Sequence, residues 1–109
     1  CQELGAALQA DARPIVLIVN NGSYGTIRMH QERHFPRRVS GTEMINPAFA
    51  ALARAYGFHA ERIERTEEFA DAFARALASP TGAVLDLNVA SAAITPGMTI
   101  ADLQALSES

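Results

Sequence analysis

The chain has 109 residues, of which 49% are hydrophobic and 19% charged, and its formal net charge is −3. This length and composition predict one globular domain with one core. The acidic balance excludes a basic surface for nucleic acid or an anionic membrane, and no apolar run approaches the roughly 20 residues of a membrane span. The single cysteine, Cys1, cannot form an internal disulfide, so a reducing, cytoplasmic setting is expected.

The first predicted elements are a helix and a buried strand. Residues 2–11 repeat apolar side chains at helical spacing. Pro14 ends any helix, and the run 15–19 that follows is β-branched without polar alternation, which is typical of a strand covered on both faces. A loop is expected after this strand. Because Cys1 already lies in a helical pattern, we expect the chain to be a piece of a longer polypeptide.

Helices and strands alternate in the rest of the chain. Asn46 is predicted to cap a helix over 47–56, with Pro47 at its first position and Gly57 as its stop. Thr66 is predicted to cap the next helix. The remaining predicted elements, in chain order, are a strand over 58–64, a helix over 66–79, a strand over 83–90 and a short helix over 99–109.

This alternation predicts an α/β fold, a doubly wound, mostly parallel sheet with helices on both faces. Ligands bind such sheets beyond the carboxyl ends of the strands, which places a candidate site at residues 20–23, where the first strand ends. The same residues also suit an ordinary turn, because Asn-Gly is a common turn dipeptide. Side-chain amide and backbone carbonyl oxygens are ligands suited to Mg²⁺ or Ca²⁺.

The stretch "QEL" followed by "PIVLIVNNGSYG" resembles the cofactor-binding domain of thiamine diphosphate-dependent enzymes, in particular the acetolactate synthase-like decarboxylases and carboligases. That family has a motif that begins with Gly-Asp-Gly and ends in an Asn-Asn pair, and only its second half is present here. The resemblance covers essentially the whole chain. It implies that residues 1–109 are the C-terminal part of a thiamine diphosphate (pyrophosphate-anchoring) domain, with the Gly-Asp-Gly segment and the other domains lying outside this chain.

The resemblance also implies a metal and cofactor site in the turn. Asn21 supplies a side-chain ligand to Mg²⁺, and Ser23 supplies a backbone carbonyl ligand. The residues implied to border the thiamine diphosphate are Gly22, Ser23, Tyr24, Gly25 and Thr26. Backbone N–H groups at the start of a following helix would favour the diphosphate oxygens.

A substrate pocket and a reaction follow from the same resemblance. Thr26 and Ile27 match positions that face the thiazolium ring and the substrate pocket, although simple packing is an alternative for Ile27 and also for Tyr24. The implied activity is decarboxylation or ligation of a 2-oxo acid. No catalytic residue is expected on this chain, because the family's activating glutamate comes from another domain, usually that of a partner subunit in a homo-oligomer. His30 and His34 lie in a charged segment and are expected at the surface.

Two residues depart from acetolactate synthase itself. Thr26 stands where that enzyme typically has methionine, and His30 stands where it has tryptophan, which counts against acetolactate synthesis. The string "NNGSYG" is closer to the form in benzoylformate-type decarboxylases. A second class stays open, a non-catalytic α/β regulatory or assembly module in which Asn-Gly is only a turn. Nicotinamide-nucleotide binding is disfavoured because no G-x-G-x-x-G follows a strand.

Overall fold

The computed structural model describes residues 1–107. These residues form two compact units. One, the sheet unit, is formed by Cys1–Asn20 and Asn46–Asn88. The other, the second unit, is formed by Asn21–Ile45 and the residues from Val89 onward. The turn that follows the first strand therefore begins the second unit.

The sheet unit is built on three parallel strands, β1 (Ile15–Asn20), β2 (His59–Ile63) and β3 (Ala83–Asn88). Their order is β1-β3-β2, with Ile15 and His59 both opposite Ala83. The first four residues of the central strand β3 are buried. The predicted α/β class with a parallel sheet is thus confirmed.

Helices cover both faces of this sheet. The helices α1 (Glu3–Gln9) and α3 (Phe49–Ala55) contribute to one core cluster, and α4 (Phe69–Ala78) contributes to the other. The buried residues of the first cluster are Ala50, Ala53, Phe58, Ala60 and Val84. Those of the second are Ile63, Ala72, Ala76, Ala83 and Leu85. Within residues 1–107, no helix is long and apolar enough to cross a membrane.

The prediction that β1 is covered on both faces is wrong for the described chain. Val16 and Ile18 pack against the first core cluster, but Leu17 is 44% exposed and Val19 is 70% exposed. On the second face, only Ile15 among the described residues of β1 packs against the second cluster, because α4, which covers that face, mainly contacts β2 and β3. A continuous apolar run does not reveal which strand becomes the centre.

The start of α3 also differs from the prediction. The helix begins at Phe49, and its N-cap residue is Ala48, which makes no side-chain cap. Asn46 lies three residues before the helix and does not cap it, and its side-chain amide donates to Asn20 Oδ1 at 2.9 Å. Gly57 does end the helix region as predicted, with a φ of +87° that favours glycine.

Thr66 does not cap α4 either. A short 3₁₀ turn, Thr66–Glu68, precedes this helix. The Glu68 carboxylate accepts the N–H of Glu64 at 3.1 Å and that of Arg65 at 3.3 Å. These N–H groups precede the turn, so Glu68 fixes the segment that leads into the helix and does not replace the predicted cap of α4.

The second unit contains a helix where a loop was predicted. This helix, α2 (Gly25–His34), follows the turn after β1, and Glu32 is its buried residue. Most of its side chains are polar, so no apolar stripe marks it in the sequence. The charged segment is thus helical, with His30 and His34 exposed as expected.

The end of the described chain holds a hairpin and a last helix. The strands β4 (Ala93–Thr95) and β5 (Met98–Thr99) pair antiparallel. They were not predicted, because strands this short carry no periodic signal. The helix α5 (Ile100–Ser107) agrees with the terminal helix predicted over 99–109, of which residues 108 and 109 lie outside the described residues.

Candidate functional site

The side chain of Asn21, the first residue of the turn after β1, closes this turn with a hydrogen bond. The Oδ1 of Asn21 accepts the backbone N–H of Ser23 at 3.1 Å. Between them, Gly22 has a φ of +61°, a conformation that a side chain would strain. The amide oxygen of Asn21 is therefore fixed in place, and an amide oxygen has a second lone pair for a further partner.

A second segment of the same unit holds this turn from the side. The N–H of Tyr24 donates to the Thr42 carbonyl at 2.8 Å, and the N–H of Met44 donates to the Gly22 carbonyl at 3.0 Å. The Ser23 hydroxyl donates to the same Thr42 carbonyl at 3.1 Å. These bonds form an antiparallel bridge in which the backbone groups of Gly22 and Tyr24 are used, and the Ser23 carbonyl stays outside the bridge.

The helix α2 begins directly after the turn. Tyr24 is its N-cap residue and makes no side-chain cap. A Cβ built on Gly25 would lie 2.9 Å from Nδ2 of Asn21, so glycine lets the asparagine side chain lie close to the helix start. The N–H groups of an uncapped first turn are suited to an anion such as a phosphate.

The donor set supplies part of what a magnesium diphosphate needs. Asn21 Oδ1 and the Ser23 carbonyl are hard oxygen donors, and the start of α2 offers N–H groups to phosphate oxygens. Magnesium is usually held by one or two carboxylates together with substrate phosphates, and the predicted ligand pair contains no carboxylate. In the described residues, no three His, Cys, Asp or Glu side chains group so as to hold a metal.

A cavity of about 370 Å³ in the second unit brings several predicted residues together. Asn21, Gly25 and Thr26 line it, and the neighbouring Met29 joins them from α2. Its other lining residues are Ser91, Ala93, Ile94 and Thr95. The cavity therefore unites the predicted cofactor residues with a segment that the sequence did not indicate.

Other predicted residues are not in the lining of this cavity. Tyr24 is 51% exposed and Ile27 is 53% exposed, and neither lines it. Gly22 and Ser23 belong to the turn beside it. The predicted roles of Tyr24 and Ile27 stay predictions.

Asn20, the neighbour of Asn21, has its partners inside the sheet unit. Its Nδ2 donates to Asp86 Oδ1 at 3.0 Å, and its Oδ1 accepts the amide of Asn46 at 2.9 Å. Asp86 is only 1% exposed. The signal for this network was the polar Asp86 in an apolar strand, but its partner could be named only once the register of β1 and β3 was known.

Glu32 is a second residue that sequence reasoning missed. It is 2% exposed and accepts the Gln104 amide at 2.9 Å and the Arg37 N–H at 2.8 Å. The hydrogen bond from Gln104, followed by that from Arg37, lowers the pKa of Glu32 below its usual range. Glu32 therefore ties α2 to α5 as an ionised carboxylate, and nothing in its charged segment distinguishes it from exposed neighbours.

The histidines do not line the cavity. His30 and His34 are exposed on α2. His59 on β2 contacts Glu61, with its Nε2 2.8 Å from Oε1. Glu61 also accepts two hydrogen bonds from Arg75, at 2.8 and 2.7 Å, which places His59 in a structural ion network.

Comparison with known proteins adds to this geometry. Residues 1–87 match the family described as "Thiamine pyrophosphate enzyme, C-terminal TPP binding domain". The acetolactate synthase large subunit of Parasynechococcus marenigrum is 41% identical over 91 residues, which are 81% of this chain and 15% of that protein. The mitochondrial acetolactate synthase catalytic subunit of Saccharomyces cerevisiae is 36% identical over 83 residues, covering 76% of this chain and 12% of that protein.

The match thus spans 12 to 15% of the length of these relatives. The acetolactate synthase isozyme 2 large subunit of Escherichia coli is 32% identical over 68 residues, again 12% of that protein. The family match covers the sheet, the turn and α2, which are the parts that carried the resemblance. The chain belongs to the thiamine pyrophosphate enzymes, as part of their C-terminal cofactor-binding domain.

Proposed function

We propose that this chain is part of a thiamine diphosphate- and Mg²⁺-dependent enzyme that decarboxylates or ligates 2-oxo acids. The observation that carries the proposal is the cavity on which Asn21, Gly25 and Thr26 converge. These residues come from the turn and helix start that resemble the cofactor-binding segment of the family. Further support comes from relatives named as acetolactate synthases.

In this proposal the turn holds the metal and the diphosphate. Asn21 Oδ1 and the Ser23 carbonyl are the ligands to Mg²⁺. Gly22 and Gly25 allow close approach of the backbone, and the first N–H groups of α2, after Tyr24, receive the diphosphate oxygens. When bound, thiamine diphosphate supplies the carbanion-stabilising chemistry, and the protein positions it.

Thr26 and Ile27 are proposed to shape the substrate pocket rather than to transfer protons. The catalytic acid-base groups then come from the remaining domains of the longer protein and from the partner subunit of a homo-oligomer. We place this enzyme in the cytoplasm, with a small 2-oxo acid as its substrate and neither nucleic acid nor membrane as partner. The support for these assignments is the acidic net charge of −3 and the single cysteine.

The metal role is tested with Asn21→Ala in the full-length protein that carries this chain. Removing one ligand should raise the Kd for thiamine diphosphate, measured by calorimetry in the presence of Mg²⁺, by about tenfold or more. The matched control is Asn88→Ala, which removes an exposed asparagine of β3 and should leave the Kd unchanged.

The reaction is tested on the same protein with a panel of 2-oxo acids, with and without an aldehyde acceptor. Release of carbon dioxide that requires both cofactor and Mg²⁺ is the expected result. An Asn21→Ala protein with an unaltered Kd would contradict the role of Asn21. A full-length protein that binds no thiamine diphosphate would favour the alternative of a non-catalytic module in which Asn-Gly is only a turn.

A further inference from the structure

One wall of the cavity carries Ile94, and the sequence did not predict that this residue lines the site. The segment Ala93–Thr95, which is β4, lines the same cavity as Thr26 and Met29. Ile94 and Met29 are partly buried, and both are aliphatic. Most of the lining of this cavity is polar, and Ile94 and Met29 are its two large apolar residues.

This wall is held by the second unit itself. The N–H of Ile100 donates to the Ala92 carbonyl at 2.9 Å, which fixes the hairpin to the start of α5. At that start, Asp102 Oδ2 accepts the hydroxyl of Thr99 at 2.7 Å and its N–H at 2.8 Å. Because capping bonds of this kind fix a helix terminus, Ile94 occupies a defined position.

The charge of the lining restricts the ligand. Eight of the described residues line this cavity, and none of them is acidic or basic. A second carboxylate on a substrate would therefore lose its hydration there. The charged group proposed nearby, the magnesium diphosphate at Asn21, has a net negative charge and would not compensate this loss. An uncharged, apolar substituent would instead be stabilised by contact with Ile94 and Met29.

We propose that Ile94 is a specificity-determining residue that limits the size of the substituent on the 2-oxo acid, and that the preferred class carries an uncharged aliphatic substituent. This inference rests on the proposed function, since it assumes that the cavity receives a 2-oxo acid next to the cofactor. It assigns the discrimination to a residue 73 positions after Asn21, on a hairpin outside the predicted site.

The test uses paired variants of the full-length protein, Ile94→Ala to enlarge the cavity and Ile94→Phe to shrink it. The probes are pyruvate, benzoylformate and 2-oxoglutarate as substrates, and acetylphosphonate and benzoylphosphonate as analogues that cannot lose carbon dioxide, whose Ki reports binding and addition to the cofactor without decarboxylation. The matched control is Ile45→Ala, because Ile45 is the same residue type in the same unit and is fully exposed.

Ile94→Ala should raise the kcat/KM ratio of benzoylformate to pyruvate about tenfold, and Ile94→Phe should lower it by a similar factor. The ratio of the Ki for benzoylphosphonate to that for acetylphosphonate should move the opposite way, falling in Ile94→Ala and rising in Ile94→Phe, because a lower Ki means tighter binding. In each protein, 2-oxoglutarate should be the poorest substrate. Ile45→Ala should leave every ratio unchanged, and the Kd for thiamine diphosphate should stay constant throughout.

The inference would be overturned if the kcat/KM ratio of benzoylformate to pyruvate stayed within twofold of that of the unaltered protein in both Ile94 variants. A preference for 2-oxoglutarate would overturn it as well. If Ile94→Ala does not fold, Ile94→Val should give a smaller shift in the same direction. Failure of the proposed function is distinguishable, because the unaltered protein would then bind no thiamine diphosphate or convert no 2-oxo acid. That outcome overturns both proposals, whereas unshifted ratios with normal turnover overturn only the role of Ile94.

Discussion

The sheet unit and the second unit differ in what stabilises them. In the sheet unit, two clusters of buried apolar residues lie on opposite faces of β3, and the buried Asp86 is bonded by Asn20. In the described part of the second unit, the buried apolar residues are Ile100 and Leu103, and the buried Glu32 and Thr42 bond to loops and to α5. A packed core thus characterises one unit and hydrogen-bonded loops characterise the other.

The adjacent asparagines show what this difference teaches. Asn20 ends β1 and bonds to the buried side chain of Asp86. Asn21 begins the second unit, closes a turn and lines the cavity. One residue of the Asn-Asn pair therefore has a structural role, and the other is in a position to meet a ligand. Substitutions in the two units should accordingly change different measurements.

The largest expected effect is a truncation in the core of the sheet unit. Leu85 is fully buried in β3, so Leu85→Ala should lower the free energy of opening of the sheet by about 4 kcal/mol. The corresponding truncation in α5, Leu103→Ala, should cost about 2 kcal/mol, because Ile100 is the only other buried apolar residue in the described part of its unit. Hydrogen exchange of the full-length protein, followed separately for β3 and α5, measures both.

The control for these truncations is Leu77→Ala, since Leu77 is a leucine of α4 that is 64% exposed. It should change the free energy of opening by less than about 0.5 kcal/mol. Equal losses for Leu85→Ala and Leu103→Ala would contradict the contrast between the two units. The contrast would also be contradicted if Leu85→Ala increased the hydrogen exchange of the α5 amides as strongly as that of the sheet amides.

The next effect comes from the asparagine that serves the sheet. Asn20→Ala removes a donor from the buried Asp86 and should lower the free energy of opening of β1 and β3 by about 2 kcal/mol. Asn21→Ala should leave these sheet amides unchanged. The measurement is again hydrogen exchange, combined with the calorimetric Kd for thiamine diphosphate in the same preparations.

In this comparison Asn20→Ala should weaken cofactor binding less than Asn21→Ala does. Asn88→Ala serves as the control, because Asn88 lies at the exposed end of β3 opposite Asn20. If both variants of the pair lowered sheet protection equally, the division of roles between the asparagines would be refuted. A larger rise of the Kd in Asn20→Ala would refute it as well.

The strands of the sheet unit could be predicted because each has a local apolar or alternating pattern. Their order could not, since β1 and β3 are both apolar, and the exposure of Val19 depends on which strands α4 covers. The helix α2 was missed for a related reason. Its buried Glu32 is bonded by Gln104, 72 residues further along, and such a pair leaves no pattern in a short window.

The candidate site was predictable only where it lies in one stretch of sequence. Asn21, Gly25 and Thr26 were found through the resemblance, and the structure brings them to one cavity. Ile94 could not be found this way, because a strand of three residues has no periodicity and its position depends on α5. Contacts between distant segments thus account for the part of the site that the sequence did not indicate.

The smallest expected effect concerns the carboxylates of the two units at low pH. The hydrogen bonds from Arg75, opposed by burial and aided by His59, lower the pKa of Glu61 to about 2 from an ordinary value of 4.5. Because the folded pKa is the lower one, this stabilisation is complete above pH 4.5 and is lost as the pH falls towards 2. Glu61→Gln should therefore lower the free energy of opening of β2 by about 1 kcal/mol at pH 7, a modest value because Arg75 is half exposed.

The difference between Glu61→Gln and the unaltered protein should shrink as the pH falls below 4.5 and vanish only below about pH 2, where the glutamate is protonated in the folded state as well. Hydrogen exchange of β2, corrected for the intrinsic rate at each pH, measures it. The control is Glu64→Gln, which breaks the more exposed pair with Arg62 and should have little effect.

Added salt should reduce the effect of Glu61→Gln, which depends on a guanidinium. It should reduce that of Glu32→Gln on α2 less, because the leading partner of Glu32 is the neutral amide of Gln104. Equal salt dependence in both units would show that the carboxylate of the second unit is also held mainly by charge, and would remove this last difference between them.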